Sequence, residues 1–163
     1  CGVFLADCFY LVHVLILMPY TYGKQLPEDH QHLALFVDLV PQLRRLGENH
    51  FVAMLRYQQE QLAAALKPCD FASGVGQDNA YVAADTALGQ AVQLVKLAAR
   101  GLSAALPVEL LREVTGLLVG MLCQNLLTKL FALQHAAPNE VTCLSALLTS
   151  ALVGCRQVFA IVG

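Results

Sequence analysis

The chain is 163 residues long, 57% hydrophobic and only 13% charged, with a formal net charge of -2. That charged share is half of the ~25% usual in soluble domains. There is no basic stripe and no run of like charge, which excludes a nucleic-acid footprint.

The length suits one domain or one piece of a longer rod. A start at Cys1 rather than Met makes a fragment the expectation. The apolar excess fits a membrane protein, a piece of a larger assembly or a compact core-rich domain. The uncharged runs at 8–23, 114–128 and 141–155 fall short of the ~20 apolar residues that span a bilayer. They are also broken by His13, by Gln124 and Asn125, and by Thr142 and Ser145. Apolar surface covered by a partner is therefore the economical explanation.

Residues 1–18 predict a strongly apolar first helix that ends at Pro19, buried on most sides, with Asp7 and His13 as its only acid and base. A connector with Pro19, Gly23 and Pro27 follows. The spacing then predicts a long amphipathic helix over 30–66. Phe36, Val40, Leu43, Leu46, Leu55, Leu62 and Leu66 trace one face, and Asp38, Gln42, Arg45, Asn49 and Arg56 fall between them. Pro41 removes an amide hydrogen bond and presses on the Val37 carbonyl, so a kink is expected there. Gly47 costs about 1 kcal/mol against alanine inside a helix.

After a connector with Pro68, Gly74 and Gly76, residues 79–105 predict the clearest amphipathic helix, capped by Asp78 or Asn79. Tyr81, Ala84, Leu88, Ala91, Val92, Val95, Ala98 and Leu102 form its apolar stripe. Thr86, Gln90, Gln93, Lys96 and Arg100 form the opposite one. Pro107 opens a fourth helix over 107–135, with Glu109 and Glu113 in its first turns. Asn139 is expected to cap a fifth over 139–159. The fold class is all-α: about five helices packed antiparallel through short connectors, with no internal repeat.

Chemistry-bearing patterns are few. His30 and His32 lack a fixed third ligand, so a solvated helix start is preferred to a metal site. The six cysteines form no Cys-x-x-Cys pair and sit among apolar residues, as buried reduced thiols do. Ser73-Gly74-Val75-Gly76 has no following Lys and no preceding strand, unlike a phosphate loop. Glu109 and Glu113 share a helix face without a nucleophile. Gly116 and Gly120 read as a close approach of two helices rather than a membrane dimer motif. No catalytic, cofactor or metal constellation stands out. Arg44 and Arg45, beside Pro41 and Asp38, are the one compact charged feature on the long helix. They read either as a solvated face or as a polar anchor for a partner protein.

The run Phe36-Val-Asp-Leu-Val-Pro41-Gln-Leu-Arg44-Arg45-Leu46-Gly47 resembles the Zeste-White-ten family. The likeness continues through Phe51, Gln59–Leu62, Phe71, the Ala83–Lys96 helix, Leu106-Pro107-Val108, Gly116-Leu-Leu and Gln157-Val158-Phe159-Ala160. The resemblance implies a fragment of the carboxy-terminal half of a longer helical-rod protein, and a non-enzymatic scaffold without cofactor. It implies a Rod-type solenoid subunit as partner, with Zwilch and dynein-dynactin reached through the kinetochore complex in support of the spindle checkpoint. In interphase it implies a tether peripheral on the endoplasmic reticulum, with other tether subunits and SNAREs, that captures Golgi-derived vesicles. The implied location is cytoplasmic, and at kinetochore and spindle in mitosis. Two other classes stay open on the residues: a membrane-embedded helical protein, and a helical bundle binding a small molecule around Gly116 and Gly120.

Overall fold

The structure, a computed structural model, describes residues 2–30, 35–71, 74–76 and 78–162. Its elements are α-helical: α1 (Gly2–Tyr22), α2 (Leu39–Ala65), α3 (Asp78–Ser103), α4 (Val108–Phe131) and α5 (Pro138–Val162), with 3₁₀ turns at Gly23–Gln25 and over 28–30 after α1. No strand occurs among the described residues, and the fold class is all-α. The chain divides inside α2 into two compact units, Cys1–Leu55 and Arg56–Gly163.

In the first unit α1 runs on through Pro19 to Tyr22 rather than stopping at residue 18. Pro19 costs the Leu15 carbonyl its amide partner, but so near the helix end little chain follows to be disturbed. The Thr21 hydroxyl donates to the Leu17 carbonyl at 3.1 Å in the same turn. Only a thin stripe of α1 is buried, at Gly2, Leu5, Cys8 and Val12. The expectation of burial on most sides is thus corrected: Phe9, Tyr10, Leu11, Ile16, Leu17 and Tyr20 face outward.

α2 begins at Leu39, not at residue 30, and Gln31–Ala34 lie outside the described residues. A tight turn leads in: Leu39 N–H donates to the Phe36 carbonyl at 3.0 Å, and Val40 N–H to that of Val37 at 3.3 Å. Pro41 therefore sits in the first turn, where an amide has no intrahelical partner to lose. The interior kink expected at Pro41 has no basis there. Gly47 explains itself by contact. A Cβ on it would stand 3.1 Å from Cys8 Cβ and 3.2 Å from Leu5 Cδ1, so glycine lets α1 approach.

The second unit holds the end of α2, with Leu62 and Leu66 buried, and the three mutually packed helices α3, α4 and α5. α3 buries Ala84, Leu88, Ala91, Val92, Val95 and Leu102 and exposes Thr86, Gln90, Gln93 and Arg100. That is the separation an amphipathic stripe demands. α4 takes Pro107 as its N-cap, the Leu111 N–H donating to the Pro107 carbonyl at 2.9 Å, and ends at Phe131 rather than 135. α5 starts on Pro138, whose missing amide is harmless at a first helical position. The Ala137 N–H donates to Glu140 Oε2 at 2.8 Å. The capping expected of Asn139 is thus done by Glu140, reaching back as in half of a capping box.

Val92 lies against Gly154, and Lys96 Nζ donates to Gln157 Oε1 at 2.7 Å. Both contacts advance together along the sequence, so α3 and α5 run in the same direction. The connector glycine Gly76 lies beside Asn139 and Glu140, at the shared starting end. Connectors of only four and six residues then carry α4 back between them. Gly74 in that connector holds φ +89°, a backbone region that suits glycine and strains other residues.

Candidate partner-binding surface

The candidate anchor pair is placed by the first two turns of α2. Arg44 and Arg45 are both exposed. Among the described residues neither makes an ion pair, so the local pairing with Asp38 that a solvated face offers is not formed. Arg45 and Asp38 instead share the rim of an open crevice of about 880 Å³ within the first unit. Its walls are apolar: Ile16, Pro19 and Tyr20 from α1, and Val37, Val40 and Pro41 from the start of α2. On the other side of Arg45, the residues Leu39, Gln42, Leu43, Leu46 and Asn49 border a shallow hollow built from α2 alone. Sequence reasoning missed this outward stripe. A helix drawn from residue 30 with one buried face leaves no reason to look for Leu39 and Leu46 in solvent, yet they are 43% and 52% exposed.

Gly116 and Gly120 do not meet a second helix. A Cβ at either would find no atom within 4 Å, which overturns the close-approach expectation. They floor an open groove of about 870 Å³, bordered by Leu117 and Met121 and by the polar Gln59, Glu113, Gln124, Asn125 and Thr128. One buried polar atom of α4 stands out on the opposite side. Thr115 is fully buried, and its hydroxyl has no hydrogen-bond partner.

His30 Nδ1 lies 3.5 Å from Asp29 Oδ1 on the surface, and His32 is outside the described residues. Among the described residues no cluster of three or more His, Cys, Asp or Glu could hold a metal ion. The described cysteines are all free. Burial pushes the Cys69 and Cys155 thiols above their ordinary range. Lys129 pulls Cys69 part of the way back while Asp70 pushes it up. At Cys155 the nearby Cys123 pushes up and Lys96 pulls down. Such thiols are held protonated and make poor nucleophiles.

Length against the bilayer also needs correcting. By length and composition alone, three helical segments could cross a membrane: Gly2–Gln25, Val108–Phe131 and Pro138–Ile161. The uncharged runs looked too short because Lys129 and Glu113 interrupt them, whereas a helix of 24 residues absorbs a charge near each end.

The first 64 residues match a family model described as centromere/kinetochore protein zw10, C-terminal. The centromere/kinetochore protein zw10 homolog of Rattus norvegicus is 26% identical over 155 residues, which is 94% of this chain and 20% of that protein. The homolog of Mus musculus is 25% identical over the same lengths. The chain is similar to the zw10 family. It spans about a fifth of the zw10 homologs it matches. The zw10 family model covers all of α1 and nearly all of α2, the elements that carry the arginine pair and the outward stripe. No solved structure matches the chain.

Proposed function

We propose that this chain is a non-enzymatic scaffold segment of a zw10-type subunit, acting at the kinetochore and in vesicle tethering. The observation that carries the reading is the zw10 likeness over 94% of the chain. The finer reading has the segment dock onto a Rod-type helical-solenoid subunit, with Zwilch and dynein-dynactin joined through that complex. In interphase it serves an endoplasmic-reticulum tether that meets Golgi-derived vesicles with SNAREs, peripheral to the membrane through its partners.

The mechanism is geometric. Stacked helices set a reach, and apolar faces with a few polar anchors fix the partner. Outward Phe9, Tyr10, Ile16 and Tyr20 on α1 agree with such a role, as do the exposed Arg44 and Arg45. Co-expression with a Rod-type solenoid subunit, followed by size-exclusion chromatography, tests it. Co-elution that is lost in Arg44→Glu/Arg45→Glu supports docking through the pair. Co-elution of both forms returns the pair to solvent, and a folded chain that never co-elutes removes the docking role.

A second reading rests on the three apolar helices. A membrane-embedded bundle would place α1, α4 and α5 in lipid. Liposome flotation that survives a carbonate wash supports it, and release of the chain into the wash refutes it.

A further inference from the structure

We infer that the outer face of α4 pairs, antiparallel, with the same face of a second copy of this chain. The inference does not depend on the tethering reading. Glu113, Leu117, Gly120, Gln124, Leu127 and Phe131 follow one another at steps of four and three, and all six are exposed. That is the spacing of a helix–helix seam, and the whole of it lies inside α4. Leu117, Leu127 and Phe131 are 53%, 50% and 84% exposed, so the apolar members of the seam stand in solvent. At its centre Gly120 floors the open groove of about 870 Å³, and a Cβ there would meet nothing within 4 Å. An open row of this kind is what the ridge of a facing helix fills.

The order of side-chain sizes selects the occupant. Read from either end, the seam places a leucine second, and its middle pair joins a residue without a side chain to one with a long side chain. Laid antiparallel on its own copy, about a two-fold axis between Gly120 and Gln124, Leu117 of each helix meets Leu127 of the other. Gln124 of each copy then reaches over the hollow left by Gly120 of the other. Phe131 lies across Glu113 and the half-buried Leu110 of the facing helix. Two-fold symmetry makes each of these contacts twice. A parallel pair sets every residue against itself. Gly120 on Gly120 leaves the hollow empty, and Glu113 on Glu113 brings like charges together. Charge favours the antiparallel direction as well. Glu109, Arg112 and Glu113 make the start of α4 net negative, and Lys129 lies in its last turn. Antiparallel pairing brings those unlike ends together and opposes the helix dipoles. One helix face of about five turns is small for an interface, so the pairing is weak and depends on concentration.

The test is sedimentation equilibrium on the 163-residue chain over rising concentration, with circular dichroism on every variant. The molar mass should move from one chain toward two. Leu117→Asp and Leu127→Lys each set a charge against leucine twice and should weaken association about tenfold or more. Mixed in equal amounts, the two variants should associate again, because the new carboxylate at position 117 then faces the new ammonium at position 127. A parallel pair gives no such rescue. Gly120→Leu fills the hollow from a position with open space around it, so that chain should keep its helix content while losing the dimer. A wild-type chain that stays monomeric at the highest concentration overturns the inference and leaves the face to an unlike partner or to lipid. So does a dimer that survives Gly120→Leu and both leucine changes, and so does a pair of weakened variants that mixing fails to restore.

Discussion

Gly154 on α5 faces Val92 on α3 so closely that a Cβ at position 154 would stand 2.7 Å from Val92 Cγ1. Val92 is a buried, β-branched side chain with one favoured rotamer, so it cannot swing aside cheaply. Gly154→Ala should therefore cost about 1–3 kcal/mol by overpacking, despite alanine's better helix propensity. Gly89 on α3, where a Cβ meets nothing within 4 Å, supplies the control: Gly89→Ala should be stabilising. Urea unfolding of the two variants checks this. A Gly154→Ala midpoint at or above that of the parent chain would refute the close packing.

Thr115 gives the opposite expectation. Its hydroxyl is buried without a partner, whereas Thr86, Thr128, Thr142 and Thr149 each donate to the carbonyl four residues earlier. Valine keeps the shape and removes the unsatisfied group. Thr115→Val should raise stability by about 1 kcal/mol, a melting increase of about 2–4 °C for a chain of this size. A lower melting temperature would mean that the hydroxyl has a partner in solution.

The open glycines of α4 separate stability from binding. Gly116→Ala and Gly120→Ala introduce no contact within 4 Å and remove two flexible points from a helix interior. Each should stabilise the chain by up to about 1 kcal/mol. If the groove they floor holds a partner helix, the same variants should lose that partner while gaining stability. A destabilised double variant would show that the groove is filled within the chain itself.

Alkaline pH should weaken the second unit through its thiols. Burial raises the folded-state pKa of Cys69 and Cys155, so the folded chain keeps protons that the unfolded chain releases near 9.0. Stability is complete below that value and drains as pH climbs above it. The urea midpoint should fall between about pH 8 and pH 10, and the fall should shrink in Cys69→Ala/Cys155→Ala. An equal fall in the double variant would assign the loss to other groups. Both thiols should also react with iodoacetamide more slowly than the half-buried Cys143.

How much of this was legible depends on what each residue advertises. The α3 stripe could be read directly, because Ala84, Leu88, Ala91 and Val95 alternate with polar positions at helical spacing and tertiary packing uses that face. The all-α class followed from the same periodicity. Pro19 and Pro41 misled in opposite senses. A proline marks strain only relative to a helix boundary, and the composition around each left that boundary open to within a turn or more. Gly47 looked like a defect, since propensity cannot show what lies across the helix. Gly116 and Gly120 looked like a contact for the same reason. The arginine pair was visible as charge. The stripe beside it was not, because exposed leucines look like core leucines until burial is known.

The three packed helices of the second unit number an odd count, and their order has a mechanical meaning. α3 and α5 start at the end where Gly76 touches Asn139 and Glu140, and both run away from it. The first residue of α3 and the last of α5 therefore lie at opposite ends of these three helices, about 38 Å apart along a 25-residue helix. Tension applied along the backbone would load α3 and α5 in shear, over many side-chain contacts at once, rather than peeling them apart one by one.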